Sequence, residues 1–143
     1  MINSGVTMLF SKEQITDFTK IELTMNGMRG SEIYELICKG ESANITLYEL
    51  RYDRNGDRRV PLASAETVTA EVINLLNECK IIKWDKFSGA NPRGVRDGWQ
   101  FTFTAEVNGG RRLYASGSNN FPKHFRDFTN ALIGMIRDQE DKK

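Results

Sequence analysis

The sequence predicts an α+β domain, in which one antiparallel sheet carries two amphipathic helices on one face. Apolar and polar residues alternate along several stretches, which is typical of strands with one buried face. Two other stretches carry apolar residues at helical spacing, and Gly-containing turns separate the strands. Strands in hairpins with segregated helices favour this class: an N-terminal meander, a C-terminal hairpin and two helices.

Length and composition narrow the kind of protein. The 143 residues suit a single domain, and 27% charged with 39% hydrophobic residues is typical of a soluble globular chain. A net charge of +1 does not favour nucleic acid as a partner. The apolar run at residues 8–10 is too short for a secretory or membrane segment, so we expect no membrane association.

The two cysteines, Cys38 and Cys79, form neither a CxxC pair nor part of a metal-ligand cluster. Each stands where an apolar residue is expected, and neither has the surroundings of a reactive thiolate. We therefore predict two buried free thiols and, from them, a cytoplasmic location.

Residues 1–17 specify little structure. A short strand over residues 6–10 and one helical turn over residues 12–17, capped by Ser11, are both compatible with the sequence. The following stretches alternate in polarity or carry apolar groups on both faces, and Gly-containing turns join them. They predict an antiparallel meander with its middle strand central in the sheet, over residues 18–25, 31–39 and 43–52.

A helix is predicted after Pro61, with Ser64 as its N-cap. Its apolar stripe consists of Val68, Val72, Leu75, Leu76 and Cys79. Residues 80–84 then favour a short strand, and residues 85–98 form a loop long enough to be functional or held by its own aromatic side chains. A distant duplication of two strand–strand–helix units is an alternative organisation that no residue identity supports.

Residues 99–107 alternate strictly and predict a strand. Pairing Val107 with Arg111 keeps the apolar side chains of both strands on one face, whereas pairing Val107 with Gly110 inverts the second strand. The sequence therefore predicts a hairpin with a three-residue loop at residues 108–110.

A second helix is predicted near the C-terminus. Asn120 is the expected N-cap, and Pro122 falls in the first turn, where its missing N–H costs nothing. The buried stripe is expected to contain Phe125, Phe128, Leu132, Met135 and Ile136. Residues 138–143 form a charged tail that we expect to be frayed.

The polar face of the sheet is the leading candidate for function. Thr102, Thr104, Tyr114 and Ser116 fall on that face of the predicted hairpin, and Tyr34, Tyr48 and Tyr52 are possible neighbours. Exposed tyrosines suit contact with a ligand or partner, although they also occur at the rim of a core with their hydroxyls in water. We interpret the chain as a non-enzymatic binding or interaction module that uses this face and the loop at residues 85–98.

The alternative is a binding protein for a small anion, or a small enzyme, centred on the turn at residues 117–120. Ser118, Asn119 and Asn120 precede a helix, whose free N–H groups attract anions. Arg93, Arg96, Asp97 and His124 are the candidate companions, and His124 with Asp97 would form an acid/base pair. The plainer interpretation is that these residues only shape and cap the turn. The expected partner is thus a protein or a small anionic ligand.

No metal or cofactor is predicted. The run at residues 53–57 has oxygen ligands at alternate positions, but Arg58 and Ser64 stand where a calcium loop requires Gly and Glu. The sequence contains neither a phosphate-binding P-loop nor a nucleophile elbow.

Three motifs resemble a group of small bacterial proteins to which no activity is assigned. They are Trp84-Asp85-x-Phe87, Asp97-Gly98 and Gly117-Ser118-Asn119-x-Phe121-Pro122, and Gly30-Ser31-x-x-Tyr34 is compatible with the pattern. The resemblance implies a bacterial source and a loop, hairpin and terminal helix in this order. It transfers no catalytic residue.

Overall fold

The computed structural model describes residues 13–27, 30–93 and 98–141. The strands are β1 (Phe18–Gly27), β2 (Gly30–Lys39), β3 (Ser42–Asp53), β4 (Gly56–Val68), β5 (Ser88–Gly89), β6 (Gln100–Val107) and β7 (Arg111–Ser118). The helices are α1 (Thr69–Glu78), a 3-10 helix (Ile81–Trp84) and α2 (Phe125–Asp141). The strands form one seven-stranded sheet in the order β4-β3-β2-β1-β6-β7-β5.

All neighbouring strands pair antiparallel except β5 and β7, which pair in parallel. Both helices contribute to one core on a single face of the sheet, where Leu76 of α1 and Phe128 of α2 are fully buried with Phe103 of β6. The predicted α+β class with one largely antiparallel sheet is therefore confirmed.

The N-terminal meander is confirmed, but a fourth strand extends it. β4 runs from Gly56 to Val68 and pairs with β3 through a turn in which the Asn55 amide donates to Asp53 Oδ1 at 2.8 Å. The run at residues 53–57 is thus a hairpin turn. Among the described residues, four strands precede α1 and three lie between α1 and α2, so the two strand–helix units differ in strand number.

The predicted start of the first helix is wrong. Ser64 lies in β4, opposite Thr46, and α1 begins only at Thr69. Val72, Leu75 and Leu76 form the buried stripe as predicted, and Cys79 is buried just after the helix. Val68 does not join that stripe: it is the last residue of β4 and its side chain is exposed. The predicted strand at residues 80–84 is also wrong, since Ile81–Trp84 is a 3-10 helix.

The C-terminal hairpin has the predicted register. Val107 faces Arg111, Ala105 faces Leu113 and Phe103 faces Ala115, which leaves the three-residue loop at residues 108–110. The strand begins at Gln100 rather than at Trp99, whose indole is 44% exposed.

The core of the C-terminal half is aromatic. The Trp84 ring lies 5.0 Å from Phe103, 5.6 Å from Phe125 and 5.6 Å from Phe128, measured between centroids. Edge-to-face and offset aromatic pairs contribute stability beyond their buried area. This cluster fastens the 3-10 helix and α2 to the middle of the sheet.

Residues 13–17 contain no helical turn, so that part of the prediction is wrong; residues 1–12 lie outside the described residues. Two asparagine side chains hold this segment. Asn77 Oδ1 accepts from the Ile15 amide and its Nδ2 donates to the Ile15 carbonyl, at 2.8 and 2.9 Å. Asn108 Oδ1 accepts from the Thr16 amide, and its Nδ2 donates to the Gln14 carbonyl.

Asn120 is not the N-cap of the last helix, because α2 begins at Phe125. The Asn120 Nδ2 instead donates to the Ala90 carbonyl at 3.3 Å. The stripe is confirmed, with Phe125, Phe128, Leu132 and Ile136 buried and Met135 packed against the core. α2 continues to Asp141, so the charged residues from Asp138 form its last turn; residues 142–143 lie outside the described part.

Candidate functional site

The open face of the sheet, on the side without helices, presents polar side chains in rows across β1, β6 and β7. Strand register places these residues side by side. The rows are Lys20–Glu106–Arg112, Glu22–Thr104–Tyr114, Thr24–Thr102–Ser116 and Asn26–Gln100–Ser118. All four predicted residues of the interaction face therefore belong to two adjacent rows.

A pocket of about 350 Å³ lies on the first two rows. Its polar lining comes from Lys20, Glu22, Thr104, Glu106, Arg112 and Tyr114. Tyr114 is 52% exposed, so its ring and hydroxyl are accessible from solvent. Every lining side chain stands on a paired strand, which restricts its position more than a loop would.

A network of charges borders this pocket. Lys20 Nζ lies 3.0 Å from Glu22, and the Arg59 guanidinium contacts both Glu22 oxygens at 3.3 and 3.4 Å. Both cations also approach Glu35, at 3.7 and 3.6 Å. Tyr48 donates to Glu35 at 3.3 Å, and the Arg59 guanidinium lies 5.9 Å from the Tyr48 ring centroid. The network ties β4 to β1 across the open face.

The network sets the ionisation of Glu22. Burial alone would raise the pKa of this carboxyl, but hydrogen bonds from Arg59 and Lys20 outweigh burial and hold the pKa below its ordinary value. The hydrogen bond with Glu22 in turn raises the pKa of Lys20. Glu22 is thus a fixed anion with two cationic partners.

The remaining polar side chains of the pocket have no hydrogen-bonding or ionic partner among the described residues. In the part of the chain that the structure describes, the side chains of Thr104, Glu106, Arg112 and Tyr114 make no hydrogen bond and no ion pair. Glu106 and Arg112 face each other across β6 and β7 and still do not pair within 4 Å. These four groups remain available to a ligand.

The other tyrosines are dispersed. The prediction that Tyr34 lies on the polar face is wrong, because its side chain is buried in the core on the helical face. Tyr48 belongs to the charge network on the open face, and Tyr52 is exposed near the β3–β4 turn.

The turn at residues 117–120 is a structural junction. Asn119 Oδ1 accepts from the Trp99 amide at 3.0 Å, and its Nδ2 donates to Asn91 Oδ1 at 2.7 Å. A Cβ on Gly117 would collide with the Asn120 carbonyl oxygen, so the close approach requires glycine. Ser118 lies beside Gln100 at the end of β7. The asparagine side chains are thus occupied by protein partners.

The structure describes two of the candidate companions of that turn, His124 and Arg93. His124 Nδ1 lies 3.1 Å from Asp127 Oδ2, three residues along α2. Arg93 is exposed in the loop after β5, and no described residue pairs with it. Arg96 and Asp97 lie outside the described residues, so the predicted pair of His124 with Asp97 is not described either.

The beginning of the long loop supports β7. The Lys86 amide donates to the Tyr114 carbonyl at 2.7 Å, and the Ser116 amide donates to the Phe87 carbonyl at 3.0 Å. Asp85 Oδ1 accepts from the Tyr114 amide at 3.0 Å. The loop therefore fixes the backbone on both sides of Tyr114, at the edge of the pocket.

Both cysteines are unpaired, as predicted, but they differ in burial. Cys79 is buried, and desolvation raises the pKa of its thiol to about 11. Cys38 is only half-buried, which corrects the prediction, and its Sγ lies 3.4 Å from the Gly40 carbonyl oxygen. Within residues 13–27, 30–93 and 98–141 no group of three or more His, Cys, Asp or Glu residues could hold a metal ion.

Comparison with protein-family models, curated proteins and solved structures finds no match. The site therefore has to be interpreted from its own chemistry. Among the described residues, no helix is long and apolar enough to cross a membrane.

Four of the six polar residues that line the pocket were not predicted from the sequence. Lys20 and Glu22 occupy the polar positions of a predicted strand, but the register between β1 and β6 joins residues about 80 positions apart along the chain. Glu106 and Arg112 follow from the hairpin register, which places them one row beyond Thr104 and Tyr114. The register was the signal that could have identified this second pair.

Proposed function

We propose that the protein is a non-enzymatic binding module whose open face binds a small polar ligand. The observation that supports this most directly is the set of uncommitted side chains in one pocket, namely Thr104, Glu106, Arg112 and Tyr114. A volume of about 350 Å³ falls within the usual range of ligand pockets.

The charges of the lining favour a ligand that is neutral or carries both charge signs. Lys20 and Arg112 contribute two positive charges, and Glu22 and Glu106 contribute two negative charges. A guanidinium binds a carboxylate through two parallel hydrogen bonds, while Glu106 accepts from an ammonium or hydroxyl group. Zwitterionic and polyhydroxy compounds, such as amino acids, short peptides and sugars, fit these requirements.

Binding rather than catalysis is supported by the ion pairs of Glu22. Glu22 is neutralised by Lys20 and Arg59 and serves as a partner of fixed charge. The thiol of Cys79 lies in the helical-face core, away from the pocket. We also propose a cytoplasmic location, which the unpaired cysteines support, and a bacterial source, which only the motif resemblance supports.

The test is a calorimetric and thermal-shift screen of amino acids, short peptides and sugars against the intact protein. A ligand of the open face raises the unfolding midpoint, because binding to the folded state stabilises it. Arg112→Gln should weaken binding roughly 10- to 100-fold, since a hydrogen bond to a charged group contributes about 1.5–3 kcal/mol. Tyr114→Phe should weaken it several-fold through loss of one hydroxyl.

Matched controls remove the same groups elsewhere. Arg54→Gln changes an exposed arginine in the β3–β4 turn, and Tyr52→Phe removes an exposed hydroxyl at the end of β3. Both controls should bind the ligand as the wild type does. A ligand whose affinity is unchanged by Arg112→Gln and Tyr114→Phe would contradict the proposed function.

A further inference from the structure

A second, smaller pocket lies on the side of the molecule that carries the helices. It has a volume of about 150 Å³ and lies between the 3-10 helix Ile81–Trp84 and the segment at residues 122–124. Its polar lining is entirely basic: Lys80, Lys83, Lys123 and His124. No carboxylate side chain of the described residues lines it. We refer to these four residues as the basic pocket.

The aromatic core fixes the two walls of the basic pocket relative to each other. The Trp84 indole N–H donates to the Lys123 carbonyl oxygen at 2.9 Å. Trp84, the last residue of one wall, stacks on Phe125, which follows the other, with ring centroids 5.6 Å apart. The backbone that carries Lys83 and Lys123 is therefore held by buried groups on both sides.

Two residues of the pocket adopt an unusual backbone conformation. Lys80 has φ of 54° and His124 has φ of 69°, in the left-handed region that is uncommon for residues other than glycine. Lys80 lies just after α1 and its cap residue Cys79, and His124 directly precedes α2; because φ is positive, glycine would suit either position. The chain instead places a basic side chain at both.

Two of the four basic side chains, those of Lys83 and Lys123, have no acidic partner among the described residues, whereas His124 pairs with Asp127 at 3.1 Å. Lys20, Arg59 and Arg111 each pair with a glutamate elsewhere in the molecule. By contrast, no described carboxylate lies within ion-pair distance of Lys83 or Lys123. Like charges that converge on a concave site create a local positive potential and attract anions.

We propose that the basic pocket binds a tetrahedral oxyanion, specifically a phosphate group. Lysines bind phosphate as point charges, and several donors share its oxygens. The volume equals about five waters at about 30 Å³ each, which is sufficient for a phosphate group with part of its hydration. The site is separate from the pocket on the open face and does not depend on the function proposed there.

The test is a titration of the intact, isotopically labelled protein followed by two-dimensional NMR. Inorganic phosphate is added in one arm and glycerol 1-phosphate in the other, with sodium chloride at matched ionic strength as the reference. The indole N–H of Trp84 reports on the pocket, and the indole N–H of Trp99 serves as an internal control. We expect saturable shifts at Trp84, Lys83 and Lys123 with phosphate and none with chloride.

A response to both phosphates identifies the phosphate group as the ligand, and a response to inorganic phosphate alone identifies the free anion. The double variant Lys83→Gln/Lys123→Gln should weaken binding at least tenfold. The double variant Lys39→Gln/Arg137→Gln removes the same charge from exposed positions elsewhere and should bind as the wild type does. Absent or non-saturable shifts in both arms, or equal loss in the two double variants, would overturn the proposal.

Discussion

Phe103 and Thr104 are neighbours on β6 that point to opposite faces, so a pair of alanine variants tests the division of the sheet. Phe103 is fully buried, with its ring centroid 5.0 Å from Trp84 and 6.2 Å from Phe128. Truncation of a buried Phe typically costs about 3–5 kcal/mol. Both aromatic contacts are lost here as well, so we expect Phe103→Ala to cost about 4–5 kcal/mol.

Thr104→Ala should cost less than about 1 kcal/mol, because its side chain is exposed and only strand propensity changes. In urea, a loss of about 4 kcal/mol lowers the midpoint by roughly 2 M if the slope is about 2 kcal/mol/M. Tryptophan fluorescence follows the transition, since Trp84 is in the affected cluster. Equal midpoints for the two variants, or a larger loss for Thr104→Ala, would refute the assignment of the faces.

Four further predictions concern individual groups. Trp84→Phe should cost roughly 1–3 kcal/mol in urea denaturation, because the Lys123 carbonyl loses its donor while most ring packing remains. Gly117→Ala should lower the unfolding temperature, because the added Cβ would meet the Asn120 carbonyl oxygen. Gly134→Ala lies in open space on α2 and should increase the free energy of unfolding by roughly 0.5–1 kcal/mol, and with it the unfolding temperature. At pH 8 a thiol-specific reagent should modify Cys38 before Cys79, because Cys38 is only half-buried, whereas burial raises the pKa of the Cys79 thiol from its ordinary value of 9.0 to about 11 and so reduces its thiolate roughly a hundredfold. The stability difference between wild type and Glu22→Gln should be full above pH 4.5 and shrink as the pH falls through the lowered pKa of Glu22, since protonation then removes the charge that Arg59 and Lys20 stabilise.

Elements with one strong local period could be predicted from the sequence. Residues 99–107 alternate without exception, and only one loop length keeps Phe103 and Ala105 on the same side as Leu113 and Ala115. The hairpin register, and with it the neighbours Thr102, Thr104, Tyr114 and Ser116, followed from that single constraint.

β4 could not be recognised in the same way. The alternation of β4 is interrupted at Pro61 and at a register shift, where Leu47 and Tyr48 of β3 pair with Ala63 and Pro61. Small residues such as Ala63 and Ala65 also give a weak strand signal. Val68 and Val72 are four residues apart, which is helical spacing, so the end of the edge strand was assigned to the first turn of the helix. Asn55-Gly56 is a dipeptide typical of hairpin turns, and it was a sequence feature that favoured a strand after this turn.

The sites depended on contacts that sequence reasoning does not supply. Glu22 lies beside Thr104 because β1 pairs with β6, and Lys83 and Lys123 line one pocket, where the Trp84 indole donates to the Lys123 carbonyl oxygen. His124 was expected to accompany the turn at residues 117–120 or to pair with Asp97, which lies outside the described residues; the structure shows that it lines the basic pocket and pairs with Asp127. Local patterns predicted which residues were polar and exposed, and tertiary pairing decided which of them meet.

The most direct test of the central claim is the map of amide chemical-shift changes caused by the best zwitterionic or polyhydroxy ligand from the screen. The binding module described here predicts that the largest changes centre on Thr104, Glu106, Arg112 and Tyr114 and disappear in Arg112→Gln. Changes centred on the helical face, with those four amides unmoved, would contradict it.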